Sequence, residues 1–167
     1  MKGTVVWKFA DNFNADLIVG SKNITVSDPE ILGKACLAEI DPDFAKRVKP
    51  GDIMVAGKNF GYGHPHYQNI ISLKKAGIST LVAESFYPMW YRVAVFYAFP
   101  AFVCQGITKE ASVGDSLDAD PKTGVVTNLT TGKTLQGQGM PSFLLEIIEA
   151  GGLPKHIRKR LEAAAKK

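Results

Sequence analysis

The sequence predicts one α/β domain over residues 1–167, built on a mixed, partly parallel sheet flanked by helices. Three observations lead there. Between residues 53 and 104 short apolar runs alternate with helical patterns, the arrangement of right-handed β–α–β crossovers between parallel strands. After residue 115 three β-prone segments follow one another across turn-rich stretches, which reads as an antiparallel hairpin or meander. The chain has 167 residues, 46% of them hydrophobic and 22% charged, enough to bury a core without cross-links. No internal repeat, low-complexity tract or linker divides it.

Thr4–Phe9 alternates as a strand, and Leu17–Val19 is a second short strand candidate. Asp28-Pro29-Glu30-Ile31-Leu32 opens a helix, with Asp28 or Ser27 as its cap and Pro29 at the first position. Its apolar stripe runs through Ile31, Leu32, Ala35 and Cys36. Asp41–Val48 is a shorter helix opened by Asp41-Pro42. Lys49-Pro50-Gly51-Asp52 is a turn, and Ile53–Ala56 is a buried strand. A helix through Tyr67–Ala76 follows, with Pro65 suited to its first position and Gly77 to its C′ position. Ile78–Ala83 is a strand whose Val, Ile and Leu content suits burial on both faces. Met89–Ala98 is an aromatic-rich helix, in which Arg92 reads as a partly buried structural cation. Ala101–Cys104 is a further strand. Ser116–Ala119, Val125–Asn128 and Thr134–Leu135 form the meander, separated by Asp120-Pro121-Lys122-Thr123-Gly124 and Thr131-Gly132-Lys133. Pro141–Ala150 returns to helix, is stopped by Gly151-Gly152, and precedes a C-terminal helix.

Several classes of function are disfavoured by composition. No apolar run approaches the roughly 20 residues of a membrane span, so no membrane role is expected. Met1–Lys8 alternates like a strand rather than a signal peptide, and the cytoplasm is the expected location. Net charge is +4, much of it in Lys155, His156, Arg158, Lys159, Arg160, Lys166 and Lys167 around Leu153, Ile157 and Leu161. No aromatic residue interleaves these charges, so they read as a solvated helix face and no nucleic-acid partner is expected. Two cysteines, Cys36 and Cys104, lie far apart in apolar contexts and read as buried small hydrophobes.

The chemistry-bearing segment is Lys58-Asn59-Phe60-Gly61-Tyr62-Gly63-His64-Pro65-His66-Tyr67. It joins a buried strand to a helix N-terminus. Glycines at 57, 61 and 63 let the backbone turn tightly and approach a ligand. Free amides at such a junction can bind an anion, and two imidazoles stand beside them.

Lys58-Asn59-Phe60-Gly61-x-Gly63 resembles the signature of the small, swivel-domain subunit of isopropylmalate isomerase and its aconitase-superfamily relatives. Other segments are similar in the same order: Asp11-Asn12-Phe13-Asn14-Ala15-Asp16, Asp41–Ile53, Ala76-Gly77-Ile78, Glu84-Ser85-Phe86, Tyr91-Arg92 and Ser142–Leu153. The resemblance implies a swivel fold for the whole chain and a larger partner subunit carrying a [4Fe–4S] cluster. It also implies a di- or tricarboxylate substrate whose hydroxyl moves between adjacent carbons by dehydration and rehydration. An iron–sulfur cluster takes three or four cysteines, so this chain is expected to bind none and to hold no metal.

Where the family continues Ser-Ser-Arg-Glu-His, this chain reads His64-Pro65-His66-Tyr67-Gln68. By the resemblance, His64 takes the place of the proton-abstracting serine and His66 that of a carboxylate-binding arginine. A histidine is a competent base near neutral pH, and a histidinium pairs with a carboxylate without arginine's fork. Gly63 and Tyr62 are expected to line the same site. The loop Gly20–Val26 corresponds to the segment that meets the variable part of the substrate, through Lys22 to a carboxylate and Ile24 to an alkyl group. Three readings stay open. His64 is the base and His66 a ligand, or both bind while another residue takes the proton, or the subunit only anchors or regulates its partner. Isopropylmalate and other substituted malates or maleates remain alternatives as substrate.

Overall fold

The computed structural model describes residues 1–165; Lys166 and Lys167 of the basic tail lie outside them. Seven strands form one sheet, β1 (Lys2–Phe9), β2 (Ile53–Ala56), β3 (Thr80–Ala83), β4 (Ala101–Val103), β5 (Ser116–Ala119), β6 (Val125–Asn128) and β7 (Thr134–Gln136). Their order is β4-β3-β2-β1-β5-β6-β7. Strands β1 to β4 pair in parallel, and β1 with β5, β5 with β6 and β6 with β7 pair antiparallel. This is the mixed sheet expected, with β1 as the seam between its halves.

Alternation along the strands divides the core into two. Met54, Ala56, Leu81, Ala83 and Ala101 face one side, where they pack with Ile70, Leu73, Trp90 and Ala94. Ile53, Val55, Val82 and Phe102 face the other, with Leu117, Val126 and Met140. β2 and β3 are buried at every position, which is why β2 is apolar throughout and β3 is apolar but for Thr80, whose hydroxyl donates to the Pro100 carbonyl at 3.0 Å. In β1 the alternation is interrupted. Its register shifts between Val5 and Trp7, so Val5 belongs to the second core and Phe9 to the first. In a regular strand, residues four apart share a face; the bulge reverses that.

The helices are α1 (Pro29–Lys34), α2 (Phe44–Arg47), α3 (Tyr67–Ala76), α4 (Pro88–Phe96), α5 (Ile107–Glu110), α6 (Ser142–Glu149) and α7 (Leu153–Ala164). Asp28 caps α1, accepting a bond from the Glu30 amide, as expected of an Asp-Pro start. α1 is shorter than its stripe, ending before Ala35 and Cys36, and Ile31 is exposed. α3 closes on Gly77 at φ 111°, the left-handed terminus expected.

Three local expectations are corrected. Leu17–Val19 is not a strand: Ala15–Ile18 form a 3₁₀ turn, because the Asn14 side chain accepts from the Asp16 amide and caps it. Asp41 does not open a helix; its carboxylate accepts from the Asp43 amide and pairs with Arg47, leaving only one turn from Phe44. Pro65 is not in the first turn of α3. His66 is the capping residue, extended at φ −83° and ψ 153°, so Pro65 precedes the cap. The single turn α5 and a 3₁₀ turn at Ser21–Asn23 had no signal in the sequence.

Candidate active site

The loops leaving β1, β2 and β3 continue the parallel pairing past the carboxyl ends of their strands, where α/β sheets place ligands. On one side of the glycine segment, the Gly57 amide donates to the Phe9 carbonyl (3.1 Å) and Asn12 to Lys58 (2.8 Å). Gly61 then donates to Phe13 (2.9 Å) and Ala15 to Tyr62 (2.8 Å). On the other side, Phe60 donates to Ser85 (3.0 Å) and Tyr87 to Phe60 (2.9 Å). Phe60 is buried beneath, stacked on Phe13 at 5.7 Å and edge-on to Trp90 at 4.9 Å. Backbone bonds on both flanks and an aromatic floor hold the segment in place.

Two glycines in it have no substitute. Gly61 (φ +87°) lies on the indole of Trp90, and a Cβ there would come within 2.4 Å of the ring. Gly63 (φ +99°) gives passage to the Asn14 side chain, 2.4 Å from where a Cβ would stand, and to the Asp16 carboxylate at 3.2 Å. Tyr62 is bridged in parallel to Asn14, while the amides of Gly63 and His64 donate to no protein group among the described residues. They form a place for an anion's oxygens at the approach to α3.

His64 stands at the end of this segment with its side chain 85% exposed. Its Nδ1 lies 3.5 Å from Oδ2 of Asp16. His66, Gly63 and Tyr62 are within the same few residues; His66 is half-buried and Tyr62 is exposed. The structure therefore brings together four of the six residues singled out from the sequence. Asp16 was not among them. It lay inside the Asp11–Asp16 segment that marked the resemblance, and nothing in its spacing signalled a partner for His64.

The other two belong to the loop before α1. Lys22 is exposed, whereas Ile24 is half-buried and packs against the first core. Gln68, the first-turn residue of α3, is buried and donates to the Ile24 carbonyl at 2.5 Å. It ties this loop to the glycine segment. Gln68→Leu leaves that carbonyl without its donor, at a cost of about 1–3 kcal/mol. The expected result is faster hydrogen–deuterium exchange confined to residues 21–26; unchanged exchange there would show that the bond does not anchor the loop. Arg92, expected to be partly buried, is exposed beside Met89.

Across the glycine segment opens a polar cleft of about 570 Å³, lined by Asp11, Lys58, Glu84, Ser85, Gln105 and Thr108. Glu84 is fixed in it by the Gly106 amide (2.7 Å) and by the Thr108 hydroxyl and amide (2.6 and 3.1 Å). Burial pushes its pKa up, but those donors and Lys58 outweigh it and hold the carboxyl below its ordinary range.

A cluster does not fit these residues. Cys36 and Cys104 are buried on opposite faces of the sheet, and burial pushes their thiols up to about 12 and about 11. No group of three or more His, Cys, Asp or Glu among the described residues could hold a metal ion.

No family profile matches the chain, but individual proteins do along its whole length. The isopropylmalate/citramalate isomerase small subunit of Methanocaldococcus jannaschii is 44% identical over 156 residues, covering 93% of both chains. The 3-isopropylmalate dehydratase small subunit of Ruminiclostridium cellulolyticum is 41% identical over 160 residues, 96% of this chain and 98% of that one. That of Lachnoclostridium phytofermentans is 39% identical over 159 residues, 95% and 96% of the two. The crystal structure of 3-isopropylmalate dehydratase from Methanocaldococcus jannaschii superposes with a TM-score of 0.91 at 33% identity, covering 99% of this chain and 97% of that one. The fold, its order of elements and the sequence agree along their length, and the chain belongs to the family of 3-isopropylmalate dehydratase small subunits.

Proposed function

We propose that this chain, paired with a large cluster-bearing subunit in the cytoplasm, interconverts 2- and 3-isopropylmalate in leucine biosynthesis, with His64 as the base. The full-length likeness to small subunits of that enzyme carries the reading. Exposure of His64 agrees with it: a base at 85% exposure has no dry site of its own, and a covering partner would supply one.

In the dehydration direction, Nε2 of His64 takes the proton from the carbon next to a carboxylate. The C–H electron pair becomes the new double bond as hydroxide leaves the adjacent carbon. Rehydration returns the proton from the imidazolium. The amides of Gly63 and His64 hold a substrate carboxylate, and His66 pairs with it. Lys22 reaches for a second carboxylate from the neighbouring loop. The departing hydroxide is the part of the reaction that falls to the large subunit.

A second reading concerns the substrate. One relative is named for citramalate as well as isopropylmalate, and His64-Pro65-His66 differs from the family's Ser-Ser-Arg. A smaller substituted malate is the alternative occupant. The test is reconstitution of the chain with a large subunit, assayed on isopropylmalate and citramalate by formation of the unsaturated intermediate. Turnover is expected only from the pair. Hydro-lyase activity from the isolated, metal-free chain would overturn the proposal.

A further inference from the structure

Beyond the base itself, we infer that Asp16 is a positioning residue that sets the tautomer of His64, so that Nε2 carries the lone pair. The inference rests on the reading of His64 as base. Neutral imidazole has one protonated nitrogen and one basic nitrogen, and the partner of the first decides which is which. Here Oδ2 of Asp16 faces Nδ1 of His64 at 3.5 Å, which favours a proton on Nδ1 and leaves Nε2 pointing outward. At 3.5 Å the contact is longer than a formed hydrogen bond; such contacts in uncovered sites shorten when the site closes.

The approach is built by several parts of the chain. Asn14 caps the turn that carries Asp16, through its bond to the Asp16 amide at 2.8 Å. The Ala15 amide fastens the same turn to the Tyr62 carbonyl, two residues before His64. Gly63 has no side chain, and a Cβ there would stand 3.2 Å from Oδ2 of Asp16. The Asp16 carboxylate is 33% exposed while His64 is far more open, so the carboxylate is the fixed member of the pair. After proton transfer the same carboxylate faces an imidazolium. Its negative charge then stabilises the protonated base.

Asp16→Asn separates orientation from structure. The amide of asparagine can donate to Nδ1, which favours the proton on Nε2 and removes the lone pair from the substrate side. In the ¹⁵N-labelled free chain at about pH 8, above the ordinary histidine range, long-range ¹H–¹⁵N correlations report the tautomer directly. His66→Gln and His156→Gln variants assign the signals. The expected result is a protonated Nδ1 on His64 in the parent chain and a protonated Nε2 in Asp16→Asn. In the assembled enzyme, kcat should fall by about 10²–10⁴-fold, the contribution of a general base, with KM within about twofold and partial recovery in Asp16→Glu. A parent His64 with Nε2 protonated, or a tautomer that Asp16→Asn leaves unchanged, would overturn the inference. So would a shifted tautomer with full kcat. Full turnover in His64→Ala would instead remove the base reading and leave the tautomer result standing.

Discussion

His64→Ala in the assembled enzyme is expected to lower kcat by about 10²–10⁴-fold, the usual contribution of a positioned general base, while KM changes little. In the proposed mechanism the substitution removes the group that accepts the proton and leaves the Gly63 and His64 amides for the carboxylate. Exchange of the substrate's transferable hydrogen with deuterated solvent should fall by the same factor, because exchange requires that proton to reach the base. The fold should not notice. The side chain is 85% exposed and lies on no core contact, so thermal stability should stay within about 0.5 kcal/mol. A variant that turns over at the parental rate would return His64 to a binding or structural role, and the anchoring-subunit reading would gain.

Gly61→Ala should be the largest single effect on stability near the site. Two costs coincide there. A left-handed φ of +87° disfavours any side chain, by about 1 kcal/mol for alanine. The new Cβ would also meet Trp90 at 2.4 Å, and Trp90 is fully buried among Phe60, Phe86 and Phe99. An indole wedged between three aromatic rings cannot step back without opening the core, and overpacking of this kind costs about 1–3 kcal/mol. Together these predict a loss of about 2–4 kcal/mol, which for a chain of this size lowers Tm by roughly 4–16 °C. Gly114→Ala is the control. It shares the left-handed backbone at φ +95° but faces open space, so it should show the backbone cost alone. Equal Tm shifts in the two variants would mean that the Trp90 contact adds nothing.

The parallel half of the sheet was legible because β2 and β3 are buried on both faces, and complete burial writes short runs rich in Val, Ile, Leu and Ala. The meander was legible from its turns, whose Asp120 and Asn128 side chains bond the backbone within each turn. Leu17–Val19 misled because three apolar residues carry no period. The capping bond from Asn14 decided their shape, and Ile18 and Val19 are buried either way. At the site, glycine spacing announced the loop and its free amides. The pairing of His64 with Asp16 was not visible, since it depends on the loops after β1 and β2 staying in register beyond their strands. That register is set by backbone bonds at Asn12, Gly61 and Ala15, which side-chain patterns do not encode. The inward turn of Ile24 was hidden for a similar reason: its anchor is a single bond from Gln68, on a different helix.

The register shift within β1 has a meaning for how this chain can vary. Everything that reaches the site from the N-terminal side, from Phe9 through Phe13 to Asp16, lies downstream of that one extra residue. Loss of Val6 would straighten the strand and leave Val5 opposite Ile53 and Trp7 opposite Met54, on the faces they hold now. Loss of a residue between Trp7 and Phe9 would instead bring Phe9 opposite Val55 and turn it to the second core.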